Sequence, residues 1–213
     1  GPRAVQLLRE MQGRGFQART PEYNHAMFAC QDKHWATALE LFREVESGAV
    51  PGVRMDTGTT MAALGACRAG KQWQLAASIF ESARAQEVEP SLVLFNAVLG
   101  VYATAQQTGK VLETLEEMRF RGVRPDEFTY NTAIGAFAKV GDFRQAGQWL
   151  SVMSWEGVSA STVTYNCVLD ACANGGNPQR AAELFQEMKD RKVGVDHVTY
   201  GSLIHAFAKG GQW

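Results

Sequence analysis

The feature of this sequence that most limits its fold is a motif that recurs every 35 residues. Tyr130, Tyr165 and Tyr200 stand 35 residues apart, and each follows a Thr and precedes an Asn or a Gly. Self-similarity at a fixed period of this size is typical of proteins built from repeated supersecondary units. The sequence therefore predicts a repeat architecture rather than one irregular globular core.

The 35-residue frame extends along the whole chain once small insertions and deletions are allowed. The first full repeat fits the frame with one residue missing before Trp35 and three extra residues around Pro51. The predicted full repeats are 20–56, 57–91, 92–126, 127–161 and 162–196. They are preceded by the second helix of a partial repeat over 1–19 and followed by the first helix of another over 197–213.

Each repeat is predicted to form two helices joined by a short turn. Tyr130, Ile134 and Phe137 recur at steps of four and three, which gives one apolar helix face. Gly141 is then a plausible helix stop, and Asp142 is a suitable N-cap for the second helix. No segment alternates apolar and polar residues long enough to indicate a strand.

A pair of helices of this size cannot bury both of its apolar faces alone, but stacked neighbours can bury them together. Small residues in the first helices, such as Ala133 and Gly135, would allow close approach between neighbours. The predicted fold class is therefore all-α: an α-solenoid formed as a right-handed superhelix of helix-turn-helix repeats.

Composition narrows the classes of protein that remain. The 213 residues include 21 basic and 22 acidic side chains, and 46% are apolar, which is wrong for a disordered chain. A net charge of −1 argues against indiscriminate coating of nucleic acid or membrane by a polybasic arm. The most apolar stretch, residues 92–105, is shorter than the ~20 residues of a membrane helix, so no membrane insertion is expected.

The cysteines and histidines do not indicate a chemical site. Cys30, Cys67 and Cys172 share one setting, each after an Ala near the end of an apolar helix, which points to a packing slot. Neither a C-x-x-C motif nor ligand-spaced histidines are present, so we expect no metal. No Ser or Cys nucleophile pairs with a His in a recognisable motif. We therefore expect no catalytic residues, no cofactor and no enzymatic activity.

Two of the repeats carry a specific family resemblance. Residues 128–161 read FTYNTAIGAFAKVGDFRQAGQWLSVMSWEGVSAS, and residues 163–196 read VTYNCVLDACANGGNPQRAAELFQEMKDRKVGVD. The T-Y-N opening, the A-x-x-L-F-x-E-M second helix and the V-x-P-D ending closely resemble the P-type repeats of the pentatricopeptide repeat family. The period of 35 separates the chain from the 34-residue tetratricopeptide repeats. The resemblance covers nearly the whole sequence.

The resemblance implies single-stranded RNA as the partner, in organellar RNA metabolism in a mitochondrion or chloroplast. Members of this family read one base per repeat. The fifth and last residues of each repeat hydrogen-bond to a base, and the second residue packs between bases. The implied base-reading pairs are Asn24 and Asp56, Met61 and Ser91, Asn96 and Asp126, Asn131 and Ser161, and Asn166 and Asp196.

The family's pairing rule implies a base preference for each pair. Asn with Asp favours U and Asn with Ser favours C, whereas the pair Met61 and Ser91 has no assigned base, so the expected core is U-N-U-C-U. The implied base-stacking residues are Val93, Phe128, Val163 and Val198. Pro21 and Gly58 depart from the usual branched apolar residue at this position.

Electrostatics and helix capping leave other interpretations open. The family often places a phosphate-binding Lys late in the first helix, and here only Lys139 and Lys209 occupy that position. The other repeats carry Asp32, Ala69, Thr104 and Asn174 there. Asn in the T-Y-N motif could also serve only to hold the start of a helix. The alternative function is a non-catalytic scaffold or assembly subunit that binds protein subunits of a larger organellar complex.

Overall fold

The computed structural model describes residues 1–211, and within that range the chain is all-α, with no strand. This confirms the predicted helical fold class. The twelve helices of the described range are α1 (Pro2–Gly13), α2 (Thr20–Cys30), α3 (Trp35–Glu46), α4 (Thr57–Ala69), α5 (Trp73–Ala85), α6 (Leu92–Thr104), α7 (Thr108–Phe120), α8 (Glu127–Val140), α9 (Phe143–Trp155), α10 (Thr162–Asn174), α11 (Pro178–Asp190) and α12 (His197–Lys209).

The helices group into two compact units. The first unit spans Gly1–Ala105 and contains α1 to α6, and the second begins at Gln106 and contains α7 to α12. The boundary between the units lies inside the predicted repeat 92–126, so α6 and α7 belong to different units. The predicted repeat boundaries stay a prediction, and the last two residues of 197–213 lie outside the described part of the chain.

Within each unit the helices stack in chain order. In the first unit, α2, α4 and α6 pack side by side, α3 contacts α2 and α4, α5 contacts α4 and α6, and α1 packs on α2. In the second unit, α8, α10 and α12 form the equivalent row. Helix α9 contacts α8 and α10, α11 contacts α10 and α12, and α7 packs on α8. We call the even-numbered helices the first helices and the odd-numbered helices the second helices.

The recurring aromatic residue of the repeat forms the core of each unit. Tyr23, Phe95, Tyr130 and Tyr165, each the fourth residue of a first helix, are at most 1% exposed. Burying a side chain of this size contributes about 1.5–3 kcal/mol. The same apolar spacing that predicts the helices therefore also supplies their packing.

The hydroxyl groups of the buried tyrosines are paired with carboxylates. Tyr130 donates to Glu156 over 2.5 Å, and Arg119 pairs with the same carboxylate at 2.7 Å. Tyr165 donates to Glu187 over 3.0 Å in the same way. Burial and the neighbouring carboxylate raise the pKa of Tyr130 to about 12, so its phenol stays protonated at neutral pH.

The cysteines and glycines of the first helices fill narrow sites between helices. Cys30, Cys67 and Cys172 are completely buried, which confirms the packing slot, and burial raises the pKa of Cys67 to about 12. A Cβ on Gly70 would lie 2.7 Å from the Trp35 ring, so only glycine allows α4 to approach α3 this closely.

The predicted helix signals in the second unit are confirmed. Gly141 ends α8 in the left-handed conformation at φ 73°, where glycine is favoured. The Asp142 carboxylate accepts a hydrogen bond from the Gln145 N–H at 3.0 Å and caps α9. Pro178 is the first residue of α11, where its missing N–H costs no helical hydrogen bond.

Candidate nucleic-acid interface

One face of each first helix carries the predicted stacking position, the fifth residue of the repeat and the predicted phosphate-binding position. The second, fifth, ninth, twelfth and thirteenth residues of a repeat fall within about 100° of one another on a helix of 3.6 residues per turn. We call this surface the open face. In the predicted repeat 127–161 these positions are Phe128, Asn131, Gly135, Ala138 and Lys139, of which Ala138 is buried.

The four predicted stacking residues are exposed on the open face. Val93, Phe128, Val163 and Val198 have exposed fractions of 54%, 57%, 59% and 42%. Packing within the protein itself buries little of the apolar surface of these side chains. A flat partner such as a base could cover these side chains.

The last residue of a repeat has a structural role at the start of the next first helix. Asp56, Asp126 and Asp196 are the N-caps of α4, α8 and α12, and each accepts a hydrogen bond from the N–H of the third helical residue at 2.8 Å. Ser91 and Ser161 are the N-caps of α6 and α10. The cap fixes each of these side chains at a helix start.

The predicted pair Asn166 and Asp196 is brought into direct contact. The Asn166 amide donates to the Asp196 carboxylate over 3.2 Å, and the Thr199 hydroxyl lies 2.8 Å from the Asn166 amide oxygen. Asn166 is only 8% exposed. Contact arises because α10 and α12 are adjacent, so the fifth residue of one lies beside the N-cap of the other.

The pair Asn24 and Asp56 in the first unit shows a related arrangement. The Asn24 amide nitrogen lies 3.1 and 3.3 Å from the two Asp56 carboxylate oxygens. Its amide oxygen is buried and has no hydrogen-bond partner among the described residues. A buried acceptor without a partner is unfavourable, so the Asn24 amide is the less well satisfied of the two paired amides.

The pair Asn131 and Ser161 is not joined by a hydrogen bond within the described part of the chain. The Asn131 amide nitrogen lies 3.5 Å from Glu127, at the limit of a hydrogen bond. Its amide oxygen is buried and unpartnered, like that of Asn24. A Ser side chain is too short to span the distance that a carboxylate spans in the other pairs.

The two remaining pairs are placed differently. Met61 is half-buried on α4, and Ser91 caps α6, both in the first unit. A thioether is at most a weak acceptor, so Met61 lacks the amide chemistry of the other fifth residues. Asn96 lies on α6 in the first unit and Asp126 at the start of α8 in the second.

Two of the N-cap carboxylates have lowered pKa values. Burial acts to raise the pKa of Asp56, but hydrogen bonds from the Thr59 N–H and hydroxyl and from the Asn24 amide outweigh it and lower the pKa overall. Hydrogen bonds from Thr199, followed by the Asn166 amide, lower the pKa of Asp196. Both groups are therefore ionised at neutral pH and only accept hydrogen bonds.

The predicted phosphate-binding position also has a capping role. Lys209 donates to the carbonyl of Asn174 over 2.7 Å, at the end of α10. Asn174, at the same position of its own repeat, donates to the carbonyl of Ala138 over 2.9 Å, near the end of α8. Lys139 is exposed in the last turn of α8. A cation at a helix C-terminus is favourable, so this position stabilises the stack as well as carrying charge.

One exposed cation on the open face was missed by the sequence reasoning. Arg68 is the twelfth residue of its repeat, one before the position expected for Lys, and it lies in the last turn of α4. A Cβ on Gly100 would be 3.9 Å from the Arg68 side chain, so the arginine extends across α6. Helical spacing alone places this residue on the open face and could have identified it.

The residues that the structure describes contain neither a metal-binding group nor a membrane-spanning helix. No group of three or more His, Cys, Asp or Glu side chains in residues 1–211 could hold a metal ion. Across the same range no helix has the length and apolar character that crossing a bilayer requires. The open face offers amides, carboxylates, hydroxyls and apolar side chains, which can form hydrogen bonds and stacking contacts with a partner.

Comparison with known proteins identifies the family. The PPR repeat family matches residues 90–139, 128–174 and 160–209, and the pentatricopeptide repeat domain matches residues 40–105. The chain belongs to the pentatricopeptide repeat family. A search of curated protein sequences gave no match.

Solved structures of pentatricopeptide repeat proteins share the α-solenoid fold. The crystal structure of PPR10 from maize is 29% identical, with a TM-score of 0.76, and the match covers 98% of this chain and 30% of PPR10. PPR10 in complex with an 18-nt psaJ RNA element is 20% identical over 98% of this chain and 35% of that one, with a TM-score of 0.72. The PPR domain of Arabidopsis thaliana protein-only RNase P 1 in complex with tRNA is 16% identical over 90% of this chain and 100% of that domain, also with a TM-score of 0.72. This pentatricopeptide repeat chain thus spans about a third of the PPR10 structures.

Proposed function

We propose that this chain binds single-stranded RNA on the open face of its first helices, with one base per repeat. The observation that carries the proposal is the direct contact between the fifth and last residues in two predicted pairs, Asn24 with Asp56 and Asn166 with Asp196. The exposed apolar side chains of the four later first helices, Val93, Phe128, Val163 and Val198, recur at the 35-residue spacing. Such a surface can stack bases and read their edges at a regular interval.

The base preference follows from the chemistry of the paired side chains. An amide offers donors and an acceptor, and its orientation depends on its neighbour. An adjacent carboxylate is a fixed acceptor, whereas a Ser hydroxyl is a donor that can rotate. On this basis the Asn–Asp pairs prefer U and the pair Asn131 and Ser161 prefers C. The proposed core is U-N-U-C-U, read 5′ to 3′ from the N-terminal repeat.

The structural relatives support RNA as the ligand class. PPR10 has been solved with an RNA element and the PPR domain of protein-only RNase P 1 with tRNA. We propose a non-catalytic role for this chain, because its open face presents recognition groups without a reactive constellation. The organellar location that the family implies is part of the same proposal.

Fluorescence anisotropy tests this function directly. A labelled RNA containing U-U-U-C-U is compared with oligo-A at low and at physiological salt. We expect the pyrimidine RNA to bind more tightly at both salt concentrations, since base contacts do not depend on counterion release. An Asn131→Ala, Asn166→Ala double variant should lose the preference. Equal binding of both RNAs that disappears at physiological salt would contradict the proposal.

A second candidate function is supported by two exposed aromatic residues away from the open face. Phe120 and Trp155 are the last residues of α7 and α9, stand 35 residues apart and are 92% and 86% exposed. Exposed aromatic side chains of this size are typical of protein-binding surfaces. This candidate predicts that Phe120→Ser and Trp155→Ser abolish recovery of a specific protein partner while leaving RNA affinity unchanged.

A further inference from the structure

One side chain of the following repeat reaches into a predicted base-reading pair. The Thr199 hydroxyl lies 2.8 Å from the Asn166 amide oxygen and 2.8 Å from the Asp196 carboxylate oxygen. Thr199 is completely buried, and its backbone N–H also donates to Asp196. The pair is therefore held by a third residue, which belongs to the following first helix.

The hydrogen bonds of this group are consistent with only one orientation of the amide. The Asn166 amide nitrogen donates to the Asp196 carboxylate, which can only accept because it is ionised. The Asn166 oxygen therefore faces the Thr199 hydroxyl, whose single proton is shared between this oxygen and the Asp196 carboxylate, each 2.8 Å from the hydroxyl oxygen. Rotation of the amide by 180° would set two acceptors, the amide oxygen and the carboxylate, against each other.

The other two Asn–N-cap pairs within one unit lack this third contact. Thr59 and Thr164 occupy the equivalent place in their helices and contact their N-caps Asp56 and Ser161, as Thr199 contacts Asp196, but within the described range they make no hydrogen bond to Asn24 or Asn131. The amide oxygens of Asn24 and Asn131 are both buried without a partner among the described residues. The contact from a threonine hydroxyl to the reader amide is thus particular to Asn166 in these three pairs.

We infer that Thr199 is a positioning residue that, together with Asp196, holds the orientation of Asn166 and so sharpens base discrimination at the fifth position. The inference rests on the proposed RNA-binding function. A pre-oriented amide presents one fixed set of donors and acceptors and has no rotamer freedom to adapt to the wrong base. An amide whose oxygen has no hydrogen-bond partner among the described residues, such as that of Asn131, is held by fewer contacts and can satisfy either pyrimidine. We therefore expect stronger U-over-C discrimination at the Asn166 position than C-over-U discrimination at the Asn131 position.

Three variants separate positioning from helix capping. Thr199→Val removes the hydroxyl and keeps the shape, and Thr199→Ser keeps the hydroxyl. Thr164→Val is the matched control, because Thr164 accepts from the Ser161 N–H at 3.1 Å as Thr199 accepts from the Asp196 N–H at 3.2 Å. Anisotropy is measured with four RNAs that differ only at the fifth base and four that differ only at the fourth.

We expect Thr199→Val to reduce U-over-C discrimination at the fifth base by about 2- to 10-fold, the value of one hydrogen bond. Thr199→Ser should retain that discrimination, and Thr164→Val should leave discrimination at the fourth base unchanged. Both valine variants lose a cap contact, and Thr199→Val also loses the contacts to Asn166 and the Asp196 carboxylate, so thermal melting should show the larger loss for Thr199→Val. A cooperative melting transition above the temperature of the binding assay in both variants serves as the control for folding.

Two outcomes would overturn the inference in distinguishable ways. If the unmodified chain prefers the pyrimidine RNA but Thr199→Val keeps its fifth-base discrimination, Thr199 is only a capping residue and the proposed function stands. If the unmodified chain shows no base preference at any position, the proposed function fails and the inference fails with it.

Discussion

Gly58 packs against the side-chain amide of Asn24, so closely that a Cβ built on Gly58 would be 2.5 Å from the amide nitrogen. The same nitrogen donates to both oxygens of Asp56, the N-cap of the helix that contains Gly58. The departure from an apolar residue at position 58 therefore has a structural consequence. Glycine leaves the space in which Asn24 and Asp56 make contact, at the expense of a stacking side chain.

We expect Gly58→Ala to stabilise the chain less than an ordinary Gly→Ala change in a helix. Gly135→Ala is the matched comparison, since nothing lies within 4 Å of its added Cβ, and it should raise the free energy of unfolding by about 0.5–1 kcal/mol. Gly58→Ala must displace the Asn24 amide and lose its charge-assisted hydrogen bond, so it should fall short of Gly135→Ala by about 1 kcal/mol or more. Urea denaturation measures both values; equal stabilisation by the two variants would argue against the contact.

Ser161→Asp should change the base preferred at the fourth position from C to U. The new carboxylate can accept from the Thr164 N–H, as Asp196 accepts from the Thr199 N–H at 2.8 Å, and it can reach the Asn131 amide. We expect the C-to-U affinity ratio at this position to shift by about tenfold, within the range of one good base contact. Anisotropy with single-base RNA variants measures the shift, and the reciprocal Asp196→Ser change at the fifth base is the control. An unchanged preference in both variants would refute the pairing rule for this chain.

Lys139→Ala should weaken binding to all RNAs by a similar factor. Lys139 is on the open face, so its loss should remove one phosphate contact and reduce the slope of log K against log salt by about 0.7. Lys189→Ala is the control, because Lys189 lies on second helix α11 with its ammonium 4.1 Å from the Phe185 ring centre. Salt titration of RNA affinity distinguishes the two. A larger change in the salt slope for Lys189→Ala than for Lys139→Ala would indicate that RNA binds the second helices rather than the open face.

Tyr130→Phe should alter the dependence of stability on alkaline pH. The pKa of Tyr130 is about 12 in the folded chain, whereas an unfolded tyrosine ionises near about 10. Above pH ~10 the unfolded state loses this proton first, so stability falls with pH by up to about 1.4 kcal/mol per unit for each such tyrosine. At neutral pH the free energy of unfolding of Tyr130→Phe should be lower than that of the unmodified chain by about 1.5 kcal/mol. This difference between the two proteins should narrow between pH ~10 and ~12, because only the unmodified chain loses stability through ionisation of Tyr130.

Denaturation at several pH values tests this expectation. Tyr200→Phe is the control, because Tyr200 is 52% exposed and its hydroxyl has no carboxylate partner within residues 1–211. This variant should keep the alkaline slope of the unmodified chain. A Tyr130→Phe protein whose slope matches that of Tyr200→Phe would show that the Glu156 contact does not hold the phenol in its protonated form.

The sequence predicts the helices, their order and the buried aromatic residues, because 35-residue periodicity and helical spacing are both properties of the chain alone. It also places Phe128 and Asn131 on one face. It does not predict that Asn166 and Asn131 make different contacts, since both follow the same Thr-Tyr pair. That difference depends on the reach of one N-cap side chain and on the rotamer of an amide, which are set only once neighbouring helices pack.

The capping role of Lys209 could not be predicted for the same reason. Spacing places Lys209 near the end of α12, but whether its ammonium points to solvent or to the Asn174 carbonyl depends on the close approach of α10. Arg68 was not predicted, because the family pattern places the phosphate-binding residue one position later, at Ala69. A plain helical projection, applied without the family, would have included it.

The N-cap position also determines how such a protein can be re-engineered. Asp196 completes one 35-residue period, but its hydrogen bonds to Thr199 belong to the next helix. Cutting and exchanging modules between residues 196 and 197 would separate a base reader from the threonine that orients it. A transplantable cassette should instead begin after the third residue of one period and end after the third residue of the next. Libraries assembled with that junction would transfer specificity and helix capping together.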